Sequence, residues 1–329
     1  PDGASMTINW SSNSSGSWQR FGTNSSVGNG TYHQTNNNFS SNNTKYWWKI
    51  SVTDGADSNS SLYYFSTPDY LKPSSNVNTI TSYWKKTSPL TITATATDTG
   101  WSGVKNVTLY YRFSTNNISW GGWKTVGVDA ASPWSWSFAF SNGSGYYQFY
   151  SIAKDNATNV ETTPGSADAW CGYDATAPSS TVDLITSYWK KTNTTVTASA
   201  SDAMSGVKNV TLYYRFSNNN VSWGGWVSAG IDSVSPWSWS FSFANGSGYY
   251  QFYSIAKDNA TNVESAPGSA DTKCGYDNQA STSVVNTITG YWKNTSPLTI
   301  TASASDTGPS GLKNVSLYYR YRTTNISSW

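Results

Sequence analysis

Gly145-Tyr146-Tyr147-Gln148-Phe149-Tyr150-Ser151-Ile152-Ala153-Lys154-Asp155-Asn156-Ala157-Thr158-Asn159 occurs twice in this chain, the second time as Gly248 to Asn262. Its aromatic and β-branched run, closed by Asp-Asn, reads as a strand that ends in a turn. Upstream, Ser102-Gly103-Val104-Lys105-Asn106-Val107-Thr108-Leu109-Tyr110-Tyr111-Arg112 returns in the same way as Ser205 to Arg215. Further out, Tyr83-Trp84-Lys85, Tyr188-Trp189-Lys190 and Tyr291-Trp292-Lys293 open three copies, spaced by 105 and then 103 residues. A period of that size is one small domain rather than one turn of a solenoid. Near-identical tandem domains suit length, spacing and multivalency better than catalysis.

Within copy one, strand-like segments run from Asn78 to Trp84, Leu90 to Thr97, Val104 to Phe113, Trp123 to Val128, Trp134 to Phe140, Tyr146 to Lys154 and Ala167 to Tyr173. Turn residues such as Asp98-Thr99-Gly100, Asn116-Asn117 and Ser141-Asn142-Gly143 separate them. Leu90 to Thr97 alternates apolar residues with Thr, which gives one core face and one solvent face. Seven short strands in about 100 residues is the count of an immunoglobulin-like sandwich. The expected class is all-β, built from tandem immunoglobulin-like β-sandwich domains. The expected segments are 1–72, 73–178, 179–279 and 280–329. The last is the first half of a third repeat, truncated or completed by a neighbouring chain.

The part before Pro73 does not match the repeat. Its Thr44-Lys45-Tyr46-Trp47-Trp48-Lys49-Ile50-Ser51-Val52-Thr53-Asp54-Gly55, followed by Phe65-Ser66-Thr67, resembles the last two strands of a fibronectin type III domain. The likeness covers Met6 to Thr67, with the first strand missing or upstream. The repeats resemble the tandem immunoglobulin-like domains of large archaeal and bacterial cell-surface proteins. Asp98 with Ser102-Gly103-Val104, the strand Gly145 to Ala153, the hairpin Asp155 to Glu161 and Tyr173-Asp174-Ala175-Thr176-Ala177-Pro178 carry that resemblance. The resemblance implies stalks, layers, filaments or adhesins. Thr158 and Thr261 stand where the family has Gly, and each creates a sequon at Asn156 or Asn259.

Charged residues make up 12% of the chain and the net charge is +2, so neither nucleic acid nor anionic membrane is expected as the main partner. Aromatics reach 16%, which sets the chain apart from disordered sequences. No apolar run approaches the roughly 20 residues of a membrane span. Sequons occur at Asn9, Asn13, Asn24, Asn29, Asn38, Asn42, Asn59, Asn106, Asn117, Asn142, Asn156, Asn193, Asn209, Asn220, Asn245, Asn259, Asn294, Asn314 and Asn325. So many, recurring at matched places, point to an exported protein whose N-linked glycans replace charge as the source of solubility. Cys171 and Cys274 occupy one position in successive repeats, too far apart to pair with each other. Each is either a buried thiol or a link to another chain. Pro1-Asp2-Gly3 carries no signal pattern, and copy three breaks off at Asn325-Ile326-Ser327-Ser328-Trp329. These ends suggest a window on a longer array, with strands donated by a neighbouring subunit as the alternative.

Chemistry has little to work with. His33 is the one histidine and lies in a Thr/Asn-rich surface-like segment, and no nucleophile elbow, His/Cys metal cluster or phosphate loop is present in the sequence. The chain is therefore not expected to be an enzyme, and no cofactor is required. Calcium is a candidate ligand: Asp98, Asp155, Glu161 and Asp174 could meet near one end of a sandwich, with Asp202, Asp258, Glu264 and Asp277 repeating the set. The competing reading is that these acids only form turns. Trp134 and Trp136, like Trp237 and Trp239, read as core. Trp120, Trp123, Trp223 and Trp226 remain open as contacts to a glycan or a subunit. The function expected is an extracellular structural component of a microbial, archaeal surface filament, sheath or layer assembled from copies of itself. An adhesin stalk or glycan-binding repeat protein is the alternative.

Overall fold

The computed structural model describes residues 5–323, and every regular element among them is a β-strand. No helix among these residues is long and apolar enough to cross a membrane. The chain divides into two compact units, Pro1–Tyr173 and Asp174–Trp329.

The first unit opens with β1 (Met6–Ser12), β2 (Gln19–Val27), β3 (Lys45–Thr53) and β4 (Ser58–Ser66), antiparallel in the order β2-β1-β3-β4. Alternation along β3 puts Tyr46 on the inner face, 3% exposed, where Phe39 and Phe65 pack edge-on against each other and around it. The Tyr46 hydroxyl accepts a hydrogen bond from the Ser41 amide at 3.0 Å, closing the corner into β3. Trp10, Phe21, Trp48 and Phe65, with Gln34, Asn36 and Phe39 from the loop before β3, line a cavity of about 300 Å³ on this face.

The rest of the unit is a sandwich. Its strands are β5 (Ser74–Val77), β6 (Trp84–Lys85), β7 (Leu90–Thr97), β8 (Val104–Ser114), β9 (Lys124–Asp129), β10 (Ser135–Phe138), β11 (Gly145–Asp155) and β12 (Ala169–Tyr173). One sheet runs β10-β7-β5 and the other β6-β12-β11-β8-β9. Between them lie Val77, Ile92, Val107, Leu109, Trp136, Phe138, Tyr147 and Phe149. This arrangement is that of an immunoglobulin-like or fibronectin type III-like sandwich. Its tyrosine corner is present: the Tyr147 hydroxyl donates to the Gly143 carbonyl at 2.7 Å.

One expected strand is corrected. Asn78 to Trp84 is not continuous, because the chain leaves the first sheet at Val77, turns through Ser82 at φ 58°, and joins the second sheet at Trp84 in parallel with β12. One residue in the left-handed region is enough to end an extended run. The Trp84 ring then lies against Gly172, where a Cβ would sit 2.3 Å from it.

The second unit repeats the plan with β13 (Ser179–Val182), β14 (Trp189–Lys190), β15 (Thr194–Ser201), β16 (Val207–Ser217), β17 (Val227–Asp232), β18 (Trp237–Phe241), β19 (Gly248–Asp258) and β20 (Thr272–Tyr276). Its sheets are β13-β15-β18 and β14-β20-β19-β16-β17. Beyond them β21 (Thr282–Val285) pairs with β22 (Ala302–Ser305). Residues 312–322 match β8 and β16 in sequence but form no ladder, and Tyr318 and Tyr319 are 89% and 83% exposed. In the complete copies that strand is held by its neighbours β11 or β19.

Candidate carboxylate sites and aromatic ladders

Asp69 sits in the segment that enters the first sandwich, Asp98 follows β7, and Asp155 ends β11. Their carboxylate oxygens lie within 4.8 Å of one another. Asp69 is 4% exposed and Asp155 0%. The Asp69 carboxylate accepts from the Leu71 and Ser102 amides, and Asp98 from the Gly100 amide and the Ser102 hydroxyl. Asp155 takes both the amide and the side-chain amide of Asn159, whose side chain also donates to the Asp69 carbonyl at 2.9 Å. Burial pushes the Asp69 carboxyl upward, but the hydrogen bonds from Ser102 and Leu71 outweigh it and hold the group below its usual range.

The second unit reproduces this arrangement with Asp174, Asp202 and Asp258. Asp174 and Asp258 are both 0% exposed, and Asn262 bridges them as Asn159 does in the first copy. Here Asp202 Oδ1 is shut off from solvent and has no hydrogen-bond partner among the described residues. Its Oδ2 accepts from the Met204 and Gly206 amides.

The grouping therefore differs from the sequence expectation. Asp174 belongs with Asp202 and Asp258, not with Asp98 and Asp155, because the entry segment of each sandwich supplies the first carboxylate. Asp277 likewise accepts from Ser310, whose hydroxyl donates to Asp306. Glu161 and Glu264 lie outside the triads. Glu161 accepts from the Ser75 amide and hydroxyl and from the Ala153 amide, tying β5 to β11, and Glu264 does the same with Ser180 and Ala256. Asp69 is the residue the sequence reading missed. A signal existed: Asp69 to Pro73 and Asp174 to Pro178 share the spacing Asp-x-x-x-Pro.

The tryptophans separate into two groups. Trp134 and Trp136 are buried, at 7% and 8% exposure, as are Trp237 and Trp239. Trp120 and Trp123 are half-buried rather than free, because the Arg112 guanidinium lies 5.2 Å and 4.6 Å from their rings. Gln148 Oε1 accepts from Arg112 at 2.8 Å and 2.6 Å, and Trp123 continues through Tyr150 to Tyr110. Arg215, Trp223, Trp226, Gln251, Tyr253 and Tyr213 form the same ladder in the second copy. Each of these tryptophan rings thus has an arginine guanidinium stacked over it.

Both cysteines are free thiols at 0% exposure, and burial pushes each up to about 12. His33 is exposed. Asn156 and Asn259 spend their side-chain amides on the Ser102 and Gly103, or Ser205 and Gly206, carbonyls. Asn325 lies outside the described residues.

No protein-family model matches this chain, and no curated protein matches it. Among solved structures, the tetra-tandem repeat in the extending region of a large adhesion protein aligns at 16% identity and a TM-score of 0.29, covering 84% of this chain and 68% of that one. The N-terminal four Ig domains of Dscam1 isoform 4.44 align at 11% identity and 0.24, covering 82% and 64%. The chicken CNTN1 FN1-FN3 domains align at 12% identity and 0.26, covering 82% and 88%. At these scores none of them bears on what the chain does.

Proposed function

We propose that this chain is a stretch of an extracellular, N-glycosylated structural array at an archaeal cell surface, built from a partial fibronectin type III-like segment at 1–72, immunoglobulin-like repeats at 73–178 and 179–279, and the first half of a third repeat at 280–329. Copies of it assemble into a filament, sheath or surface layer. The observation that carries this reading is the repetition itself: two sandwiches share their strand order, core, ladders and carboxylate triads almost residue for residue. Selection for a repeated shape suits load-bearing and spacing, and nothing in the repeat requires a reacting group.

Each triad gathers three carboxylates whose hard oxygen donors suit calcium. The buried, unpartnered Asp202 Oδ1 favours that fit. In this reading Asp69, Asp98 and Asp155, and Asp174, Asp202 and Asp258, would hold the ion and stiffen the segment that enters each sandwich. The adhesin alternative relies on free tryptophan faces, and the arginine ladders count against it.

Electron microscopy of the native material, with intact mass on the same sample, tests the assembly. Filaments or sheets with a regular subunit repeat are expected. Dispersed particles without lateral order would instead favour the adhesin stalk.

A further inference from the structure

On β8 the buried Val107 and Leu109 point inward, so Asn106, Thr108 and Tyr110 share the outer face of the five-stranded sheet. Asn106 is the acceptor of the sequon Asn106-Val107-Thr108. Its cross-strand partner on that face is Lys154 of β11, as Lys257 is that of Asn209, and the apolar surface begins two residues further along the strand. Thr108 is flanked across the ladders by Val128 of β9 and Ile152 of β11, diagonal to Asn106, and Tyr110 follows beside Tyr150. Val128 is 60% exposed, which leaves a β-branched side chain on a solvent-facing sheet surface.

The second copy keeps this strip while changing a residue in it. Asn209 opens Asn209-Val210-Thr211, Thr211 lies between Ile231 and Ile255, and Tyr213 stacks on Tyr253. Ile231 replaces Val128 and is 65% exposed. The Asn106 and Asn209 side-chain amides make no hydrogen bond among the described residues, unlike those of Asn156 and Asn259.

We propose that N-linked glycans on Asn106 and Asn209 fold onto this strip, laying their first sugars over Val128, Ile152 and Tyr110, and over Ile231, Ile255 and Tyr213. The proposal rests on the exported, glycosylated reading above. In the transfer, the asparagine Nδ2 displaces the pyrophosphate from C1 of a lipid-linked oligosaccharide. The N–C1 bond forms, the C1–O bond breaks, and one amide proton leaves with the lipid pyrophosphate. Sugar C–H faces then cover apolar area that the sheet leaves in water, and Tyr110 or Tyr213 offers an aromatic surface at the far end of the strip. The reach is short: about 7 Å per two residues along a strand. Attached on the same face, the sugar needs no separate binding site.

The test uses the full chain from a glycosylating host, beside a double variant Asn106→Gln with Asn209→Gln from the same host. Mass spectrometry reads sequon occupancy, and hydroxyl-radical footprinting reads side-chain oxidation. Occupied sites with a loss of oxidation at Tyr110, Tyr213, Val128 and Ile231 relative to the variant, and no change at the exposed Tyr70, are expected. Occupied sites with equal oxidation in both proteins would overturn the contact. Bare Asn106 and Asn209 beside glycans at other sequons would overturn it too, yet leave the exported array standing. A chain with no glycan at any sequon would remove both.

Discussion

Tyr147 and Tyr250 show how much a single atom can fix. Each ring is fully buried and its hydroxyl donates to a carbonyl four residues back, Gly143 or Gly246. Replacing both with Phe keeps the packing and leaves those carbonyls short of a donor, so each repeat should lose about 1 kcal/mol, read as an earlier midpoint in urea unfolding. Acid should act through the aspartates. Because the folded carboxyl of Asp69 lies below its usual value near ~3.9, its contribution is present above that value and is lost as pH falls through the folded pKa. Thermal melts taken from neutral pH downward should show a smaller acid loss for Asp69→Asn than for the parent chain. Asp168 runs the other way, since burial raises it: what it contributes is present below its unfolded pKa and is lost as pH rises through the folded one.

At the scale of an element, β6 and β14 are two residues long, and a tryptophan packed on a glycine helps to place each. The Trp84 ring occupies the space above Gly172, and the Trp189 ring that above Gly275, with a Cβ in either place 2.3 Å from the indole. Gly172→Ala with Gly275→Ala should therefore push both indoles away, break the parallel pairing to β12 and β20, and cost about 1–3 kcal/mol per repeat. Denaturant titration followed by tryptophan fluorescence would register this, and an unchanged midpoint would mean that these short strands hold nothing in place. The alternation of Leu90 to Thr97 marked β7 to the residue. Asn78 to Trp84 could not be read in that way, because a strand that changes sheets carries no single period and its turn rests on Ser82.

For the whole molecule, the calcium proposed for the triads can be read in the melting temperature. Saturating calcium should raise the melting temperature and chelation should lower it, with a stabilisation of about 2.7 kcal/mol per occupied site at a hundredfold excess over Kd. Asp155→Asn with Asp258→Asn should abolish the response. A calcium-independent melt in the parent chain would leave the acids as turn formers only.

The sequence alone determined the all-β class, the repeat, and which residues face inward, because strand periodicity and recurrence are local properties written in order along the chain. Trp134 and Trp136 were legible as core for that reason. Tertiary structure decided which distant groups meet. It joined Asp69 to Asp98 and Asp155, separated Glu161 from them, and set Arg112 between Trp120 and Trp123. Such meetings depend on how the chain enters each sandwich and on which strands lie side by side, and a one-dimensional pattern does not record either.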